Sequence, residues 1–371
     1  MENRFPDWLR GSYRRLRTAL GGPRPWRAGG WLAGIVAAAL IVALVAANSA
    51  RRGHPRAAPS PPRPQIIGYF QNGWSRIFTD SFISLRQHPK VVDTVLAYWY
   101  SVDGSGNLRE PAGPPRQDVI QYVRAHGMRM GVLINNLGHD MLTTPAVQAH
   151  AISQIVGITK KDGYREIHID FELLPSNLRD AFTTFMAGLR KALPPSVALS
   201  VSVFPKIGVT SDVNGVYDYQ ALAKSVNYEV IMLYDHHSPG GPAGPVSPWP
   251  WVLQNVAYFR SILPADEIVV AAGVYGYDWP LGSTQAQEWP LDYIVQLSSQ
   301  HHATVQTDPV SHDPYFHYTD NSGNQHVVWF QNSATVKERI NLVAQDGLRG
   351  IAIWALGQED QKVWQVLEET K

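Results

Sequence analysis

Apolar stretches rich in Val and Ile alternate with segments of helical period from Ile66 onwards. Eight stretches predict β-strands, and segments such as 117–126, 146–160, 178–192 and 219–225 predict helices between them. Strands that alternate with helices indicate a parallel sheet, and eight such units over about 300 residues predict a (β/α)8 TIM barrel. The predicted strands are Ile66–Phe70, Val91–Tyr98, Arg129–Asn135, Glu166–Phe171, Ala198–Phe204, Tyr228–Tyr234, Glu267–Val274 and Gly350–Trp354.

The spacing of this pattern changes once, between the seventh and eighth predicted strands. Residues 280–347 are too many for one helix and contain three short strand-like pieces. The sequence Asp-Asn-Ser-Gly at Asp320–Gly323 is typical of a turn and would join the last two pieces as a hairpin. We therefore predict a small α+β insertion at this point. Its strand-like pieces are Thr304–Thr307, Tyr315–Tyr318 and His326–Phe330.

A different apolar pattern lies near the N-terminus. Residues 31–47 form an uncharged apolar run, close to the lower limit of length for a membrane-spanning helix. The seven Arg that precede it favour an uncleaved transmembrane signal-anchor over 31–49, behind a basic leader of residues 1–30. The alternative is a cleavable signal peptide, because small residues stand at the end of the run. Residues 50–65 are rich in Pro and predict a semi-rigid linker, which leaves 66–371 as the folded domain.

Composition adds two exclusions to this picture. The net charge of +1 conceals an uneven distribution, because residues 66–371 hold 21 basic and 29 acidic side chains, a formal charge of −8. Nucleic acid binds basic surfaces, so we expect no nucleic-acid partner for this domain. The sequence contains no Cys, which excludes a disulfide framework and thiolate metal ligands.

The segment DGYREIHIDFELLP, Asp162–Pro175, carries the main chemical signal. Side chains alternate along a strand, so His168, Asp170 and Glu172 share one face and point into the barrel. Asp170 and Glu172 would lie roughly 7 Å apart at Cβ, and two ionised carboxylates would repel, so one pKa should rise. We expect Glu172, nearest the C-terminal mouth, to hold the proton as a general acid. The alternative is a polar network without chemistry.

This segment resembles the fourth-strand signature of family 18 glycoside hydrolases, written DGxDxDxE. Asp170 and Glu172 match its last two acidic positions, whereas Arg165, Glu166 and His168 stand where the family has Asp, Gly and Asp. The stretch GYREIHIDFE is most similar to the spore-germination or cortex-lytic branch of that family, whose strands read like GYDGVNIDFE. The resemblance implies catalytic roles for Glu172 and Asp170.

Three further segments resemble the family in the expected order, so the resemblance extends over residues 66–371. MLYDHH matches the family's Met-x-Tyr-Asp on the sixth strand, which implies that Tyr234 holds the N-acetyl carbonyl and that Asp235 adds a polar contact. GIAIWALGQED matches the last strand and implies that Trp354 forms the floor under the reacting sugar. IIGYFQNGW matches the first strand and implies that Tyr69 lies in the pocket.

Position along the barrel strands adds further substrate-binding candidates. Asn135 ends the third strand and can hydrogen-bond to sugar, whereas Tyr98 at the second strand and Trp279 after the seventh can stack on it. His168 joins this group because it shares the face of Asp170. Five histidines lack ligand spacing with carboxylates, so we expect neither a metal nor another cofactor. They are His236, His237, His301, His302 and His312.

The resemblance implies substrate-assisted hydrolysis with retention, in which the 2-acetamido oxygen of the substrate is the nucleophile. The expected partner is a polysaccharide that contains N-acetylhexosamine: peptidoglycan, a chitin-like chain or an exopolysaccharide. These polymers lie outside the cytoplasm, so we expect an extracytoplasmic barrel on a single-pass membrane anchor, or a secreted one. Because Arg165 and His168 depart from the signature, a lectin-like barrel that binds sugar without turnover is the alternative function. A third reading is an interaction scaffold at the cell envelope.

Overall fold

The computed structural model describes residues 63–73 and 79–371. The predicted leader (1–30), the signal-anchor (31–49) and nearly all of the linker (50–65) lie outside the described residues. Within the described ranges, no helix is both long enough and apolar enough to cross a bilayer. The first strand begins at Gln65, one residue before the predicted start.

Strands and helices alternate through these ranges as the sequence pattern predicts. The strands described are β1 (Gln65–Phe70), β2 (Thr94–Val102), β3 (Leu108–Arg109), β4 (Arg129–Asn136), β5 (Glu166–Asp170), β6 (Ala198–Val203), β7 (Tyr228–Met232), β8 (Ile268–Gly273), β9 (Tyr275–Pro280), β10 (Gln287–Pro290), β11 (Gln306–Thr307), β12 (Pro314–Thr319), β13 (Gln325–Phe330) and β14 (Gly350–Trp354). The α-helices described are α1 (Ser81–Gln87), α2 (Gln117–Ala125), α3 (Pro145–Asp162), α4 (Arg179–Ala192), α5 (Ser211–Asn214), α6 (Tyr219–Ala223), α7 (Trp249–Ile262), α8 (Leu291–Gln300), α9 (Ser333–Asp346) and α10 (Gln361–Glu368).

Eight of these strands form a closed parallel barrel. They follow one another in the order β1, β14, β8, β7, β6, β5, β4 and β2, and β2 pairs with β1 to close the ring. The predicted (β/α)8 barrel is thus confirmed. Its second strand runs over Thr94–Val102 rather than 91–98, because Tyr100, Ser101 and Val102 continue to pair with β4 beyond an irregularity in register.

Alternation along the barrel strands divides the buried apolar side chains between two cores. Ile167 and Ile169 of β5 face outwards into the large core beneath the helices. Tyr69, Tyr98 and Leu133 face inwards and belong to a smaller core inside the barrel. The polar side chains of β5 that alternate with the isoleucines therefore point into the barrel interior.

Helix α3 delivers the chain to β5. The side chain of Thr144 accepts a hydrogen bond from the Val147 N–H, and Pro145 occupies the first turn, where its missing N–H costs nothing. Gly163 ends the helix at a φ of 65°, a left-handed conformation that glycine adopts without steric cost. This reversal directs the chain into β5.

An antiparallel five-stranded sheet is inserted between the seventh and eighth barrel strands, β8 and β14. Its order is β10-β9-β13-β12-β11, and α8 lies within it along the chain, so the insertion is α+β as predicted. It spans Tyr275–Phe330 rather than 280–347. The insertion starts earlier than predicted because β9 leaves the barrel and pairs with β13. It also ends earlier than predicted, because α9 packs on β8 and β14 as a barrel helix. The predicted hairpin at Asp320–Gly323 joins β12 to β13.

Candidate active site

A row of polar side chains on β5 runs through the barrel interior towards its C-terminal mouth. Glu166 and His168 are 0% exposed, Asp170 is 8% exposed, and Glu172 just beyond the strand is partly exposed. The row thus ends in a carboxyl group that solvent and substrate can reach. This arrangement agrees with the face predicted from the sequence.

Asp170 and Glu172 are hydrogen-bonded to each other, and the pKa values of both carboxyls are raised. Burial raises the pKa of Glu172 well above its usual range, and the charges of Asp170 and Asp235 raise it further. Burial also raises the pKa of Asp170, but hydrogen bonds from Ser202 and Glu172 lower it again. The shared proton therefore resides on Glu172, while Asp170 carries the charge.

The backbone around Glu172 is held from the neighbouring strand. The side chain of Asn136, at the end of β4, accepts a hydrogen bond from the Glu172 N–H at 2.8 Å and donates one to the Glu172 carbonyl at 3.1 Å. Tyr217 donates a hydrogen bond to the carbonyl of Phe171 at 2.8 Å. The next residue, Leu173, has a φ of 53°. These contacts fix the turn that carries the acid.

His168 lies beneath Asp170 and is 0% exposed. Its Nδ1 lies 2.9 Å from Ser200 Oγ, and its Nε2 lies 2.8 Å from Ser202 Oγ and 3.2 Å from the Tyr69 hydroxyl. Burial lowers the pKa of His168 to about 3, so the imidazole is neutral. The expectation that His168 binds substrate directly needs correction, because the side chain is enclosed below the pocket. It acts on Asp170 through Ser202.

Aromatic residues surround the carboxyl pair. Tyr69 is 1% exposed and meets the partly exposed Trp354 edge to face, with ring centroids 5.3 Å apart. Tyr98 is also buried, and its hydroxyl accepts a hydrogen bond from Asn135 at 2.8 Å. Trp354 and Asn135 are thus the members of this group with surface available to a sugar, whereas Tyr69 and Tyr98 support them from below.

Tyr234 and Asp235 follow β7, two strands away from β5 around the barrel, and are both partly exposed. Asp235 accepts hydrogen bonds from the hydroxyls of Tyr275 at 2.5 Å and Tyr277 at 2.7 Å. Burial raises the pKa of Asp235, and these two hydrogen bonds oppose the rise. Sequence reasoning missed both tyrosines, although the alternation of aromatic residues in YGYDW directly after the seventh strand was a usable signal.

Trp279 does not reach the pocket, contrary to expectation. It is 0% exposed, shares one face of β9 with Tyr275 and Tyr277, and packs in a cluster with Val327 of β13. The indole is buried because β9 belongs to the inserted sheet rather than to a surface loop.

Within the described ranges, no group of three or more His, Asp or Glu side chains is arranged to hold a metal ion.

A closed parallel barrel with a proton-sharing carboxyl pair at its mouth, flanked by Tyr and Trp, defines a glycosidase-like site. Residues 130–359, more than half of the chain, match the family model of glycosyl hydrolases family 18. The chain belongs to this family and is a glycoside hydrolase. The resemblance inferred from the sequence is therefore confirmed.

The relatives fall near the cortex-lytic branch. The chain is 30% identical to the cortical fragment-lytic enzyme of Bacillus anthracis over 74% of this chain and 67% of that protein. The corresponding enzyme of Bacillus subtilis is 28% identical over 74% and 66%. The chain thus spans about two thirds of the length of these relatives.

Solved structures share the fold. The spore cortex-lytic enzyme SleL of Bacillus megaterium aligns with a TM-score of 0.75 and 25% identity, over 84% of this chain and 75% of that one. A chitinase from Chromobacterium violaceum aligns with a TM-score of 0.76 and 23% identity, over 83% and 98%. The latter similarity speaks for the fold alone.

Proposed function

We propose that the chain hydrolyses β-linked polymers of N-acetylhexosamine, with Glu172 as the general acid and base. The observation that carries this proposal is the hydrogen-bonded pair of Asp170 and Glu172, in which the raised pKa keeps a proton on the residue at the mouth. A proton held at neutral pH on a partly exposed carboxyl is what cleavage of a glycosidic bond requires.

The glycosidic bond is broken with the substrate's own acetamido group as the nucleophile. Ordinary retaining glycosidases use a second enzyme carboxylate for this step, and family 18 differs from them in this respect. Glu172 gives its proton to the glycosidic oxygen, the carbonyl oxygen of the 2-acetamido group attacks the anomeric carbon, and the leaving sugar departs as an alcohol. Asp170, now the carboxylate nearest the acetamido N–H, orients that group and stabilises the oxazolinium ion. Glu172 then takes a proton from a water molecule, whose oxygen attacks the anomeric carbon and opens the oxazolinium ring. The configuration at the anomeric carbon is retained overall, and Glu172 is protonated again.

Three side chains at the ends of β7 and β14 complete the reaction pocket. Tyr234 donates a hydrogen bond to the acetamido carbonyl, which holds that oxygen below the anomeric carbon. Asp235, fixed by Tyr275 and Tyr277, accepts from a sugar hydroxyl. Trp354 supports the apolar face of the same sugar ring, because aromatic faces attract the C–H groups of a pyranose.

The choice of polymer rests on the relatives. Two of them are named cortical fragment-lytic enzymes. We infer that the glycan strand of peptidoglycan is the first substrate class to test, with chitin-like chains and N-acetylglucosamine exopolysaccharides as further candidates. All share the acetamido group that the mechanism needs.

We also propose that residues 31–49 anchor the enzyme in the cell membrane, with 1–30 in the cytoplasm and the barrel outside. The apolar run supports the anchor, and the location of the candidate polymers outside the cytoplasm supports the orientation, because Arg residues flank the run on both sides. Fusion of a periplasm-active or cytoplasm-active reporter to the C-terminus tests it, and a cytoplasmic signal would refute it. Release of the barrel into the medium would support signal-peptide cleavage instead.

The test of function compares the full chain with Glu172→Gln on peptidoglycan and on N-acetylglucosamine oligomers, with products analysed by mass spectrometry. Glu229→Gln is the matched control, because Glu229 is also a carboxyl with a raised pKa but is buried on β7, outside the pocket. We expect new reducing ends from the wild type and Glu229→Gln but not from Glu172→Gln. Binding of oligomers without product from any variant would favour the lectin-like alternative.

A further inference from the structure

A chain of hydrogen bonds runs along the polar side of β5, and its first link has a definite direction. At the closed end of the barrel, Glu166 Oε1 accepts a hydrogen bond from the hydroxyl of Ser200 at 2.8 Å. Glu166 also accepts from the Tyr228 hydroxyl, and Arg129 donates to its Oε2 at 3.3 Å. A guanidinium can only donate, and it favours the charged form of a neighbouring carboxyl. Glu166 is therefore the acceptor at these three contacts, and the single proton of Ser200 points towards it.

This first link fixes the tautomer of His168. Ser200 Oγ also lies 2.9 Å from His168 Nδ1, but its own proton is already given to Glu166. The hydrogen between these two atoms must then belong to the imidazole. Because burial keeps His168 neutral, the ring carries one proton, on Nδ1, and its Nε2 is a bare acceptor. The ring is 0% exposed, so no contact with bulk solvent competes with this arrangement.

Two hydroxyl groups approach the bare Nε2. Ser202 Oγ lies 2.8 Å from it, the Tyr69 hydroxyl lies 3.2 Å from it, and the two oxygens are 3.4 Å apart. Ser202 also donates to the carboxyl of Asp170. The one proton of Ser202 thus has two acceptors, and when it points to Asp170 the proton of Tyr69 can cover Nε2. When it points to Nε2, Tyr69 can donate to Ser202 instead, so rotation of two hydroxyl groups interconverts the arrangements.

The other ionisable side chains that act on Asp170 are phenols and carboxyls. Burial raises the pKa of four of these tyrosines well above the usual phenol range, so they stay protonated in acidic and neutral solution. They are Tyr69, Tyr98, Tyr217 and Tyr234. The carboxyls that titrate together with Asp170 are Glu172, which hydrogen-bonds to it, and Asp235, whose charge acts on Glu172. The charge on Asp170 therefore changes with its carboxyl neighbours and not with a phenol.

We propose that the Ser202 hydroxyl is a donor with two positions, one towards His168 Nε2 and one towards Asp170. It points to the histidine while Asp170 shares the proton of Glu172, and it turns to Asp170 when that proton leaves. This rotation brings a partial positive charge to Asp170 without the transfer of a proton. The moment of rotation rests on the proposed function of Glu172, whereas the tautomer and the two acceptors are properties of the free protein.

Glu166 and Ser200 are positioning residues in this arrangement. They hold His168 as the Nδ1–H tautomer, which keeps Nε2 available as the second acceptor. In the other tautomer Nε2 would donate to Ser202, and Asp170 would be the only acceptor left for the Ser202 proton. A carboxyl at the closed end of the barrel thus influences the acid pair at the mouth.

The test uses the full chain, isotope-labelled at its histidine nitrogens, and two matched variants on β6, Ser200→Ala and Ser202→Ala. Each variant removes one hydroxyl that contacts the His168 ring, at Nδ1 or at Nε2. NMR of the ring nitrogens reports the tautomer, with the His168 signals assigned by their loss in His168→Gln. Carboxyl NMR reports the pKa of Asp170, and circular dichroism establishes that each variant is folded.

We expect the wild type to carry the imidazole proton on Nδ1, and Ser202→Ala to keep it there. Ser200→Ala leaves the Nδ1 proton without an acceptor, so the proton should move to Nε2 and donate to Ser202, which then directs its own proton to Asp170. The pKa of Asp170 should rise by about one unit in Ser202→Ala, which removes a donor to a charged group, and should fall in Ser200→Ala. Opposite shifts from two identical deletions would not arise from a general loss of packing.

A proton on Nε2 in the wild type would overturn the proposal without any variant. An unchanged tautomer in Ser200→Ala, or Asp170 pKa shifts that are absent or have the same sign in both variants, would also overturn it. These measurements need no substrate. If the wild type cleaves nothing but the opposite shifts appear, the proposed hydrolysis fails while the two positions of Ser202 stand. If the wild type cleaves its substrate and the shifts do not appear, the hydrolysis stands and the two positions are refuted.

Discussion

The pair of hydrogen bonds that Tyr275 and Tyr277 donate to Asp235 gives a prediction whose size follows from the structure. Tyr277→Phe removes one donor, at 2.7 Å, and leaves the ring in place. Asp235 then keeps a single phenolic donor, Tyr275. Because the acceptor is a carboxyl whose pKa burial raises, the cost of the substitution depends on whether that carboxyl is ionised.

The magnitude comes from comparing charged and neutral hydrogen bonds. A hydrogen bond to a charged group contributes about 1.5–3 kcal/mol, and one between neutral groups about 0.5–1.5 kcal/mol. The loss in free energy of unfolding caused by Tyr277→Phe should therefore be about 1–2 kcal/mol larger above the pKa of Asp235 than below it. By linkage, that difference equals a rise of about one unit in the pKa of folded Asp235.

The sign follows from the direction of the shift. The folded protein holds the proton of Asp235 more tightly than the unfolded chain does, so this group's contribution to stability is present at low pH and lost as pH rises through the folded pKa. Tyr277→Phe moves the folded pKa further up. The variant should thus approach the wild type in stability at low pH and fall behind it at neutral pH.

The assay is urea unfolding of the wild type and of Tyr277→Phe on both sides of the Asp235 pKa, together with a carboxyl titration of Asp235 by NMR. Tyr217→Phe is the matched control, because its buried hydroxyl donates to a neutral acceptor, the Phe171 carbonyl, at 2.8 Å. Its cost should be about 0.5–1.5 kcal/mol at either pH. If Tyr277→Phe costs the same at both pH values, or if the two measurements disagree, Asp235 is not held as a charged acceptor and the reasoning is wrong.

Three further predictions concern the carboxyl pair and its support. Burial raises the pKa of Glu172 well above its usual range, so on the alkaline side kcat/KM should fall only as pH rises through that raised value; a rate already falling above about pH 5, near the ordinary glutamate pKa, would contradict this. Asn136→Ala removes both hydrogen bonds to the Glu172 backbone and should lower kcat about ten- to hundredfold with little change in KM, measured on N-acetylglucosamine oligomers. Burial lowers the pKa of His168 to about 3, so the NMR shifts of its imidazole nitrogens should remain those of the neutral ring between neutral and mildly acidic pH. A protonation step in that pH range would show that His168 is not shielded from solvent.

The sequence was most informative where a period-2 pattern coincided with ionisable residues. His168, Asp170 and Glu172 alternate with apolar residues, and this alternation alone placed them on the interior face of β5. Ser200 and Ser202 alternate in the same way on β6, within ALSVSV, and could have been predicted as their partners. The barrel itself follows from strand and helix periods, which are local properties of the chain.

What the sequence did not reveal depends on pairing between distant segments. The alternation in YGYDW could have marked Tyr277 as a candidate, but its contact with Asp235 is made from β9, whose pairing with β13 is a long-range feature of the fold. The same pairing buries Trp279, which sequence position alone had put in the pocket. His168 looked like a ligand contact because its chemistry suits one, whereas its enclosure between β5, β6 and Tyr69 is a matter of tertiary packing.

The order of the polar row also explains why the proton sits at the mouth of the barrel. Glu166, at the closed end, is compensated by hydrogen bonds from Tyr228 and Ser200 and by Arg129 at 3.3 Å. His168 lies next and is neutral, so it adds no charge beneath Asp170. Asp170 receives the Ser202 hydrogen bond and can remain ionised. Glu172 has two carboxylates near it and, among the described residues, no cation that lowers its pKa, so it is the group that must hold a proton. A histidine in place of the signature's middle Asp is therefore compatible with the acid chemistry, because burial, together with the charges of Asp170 and Asp235, raises the pKa of Glu172.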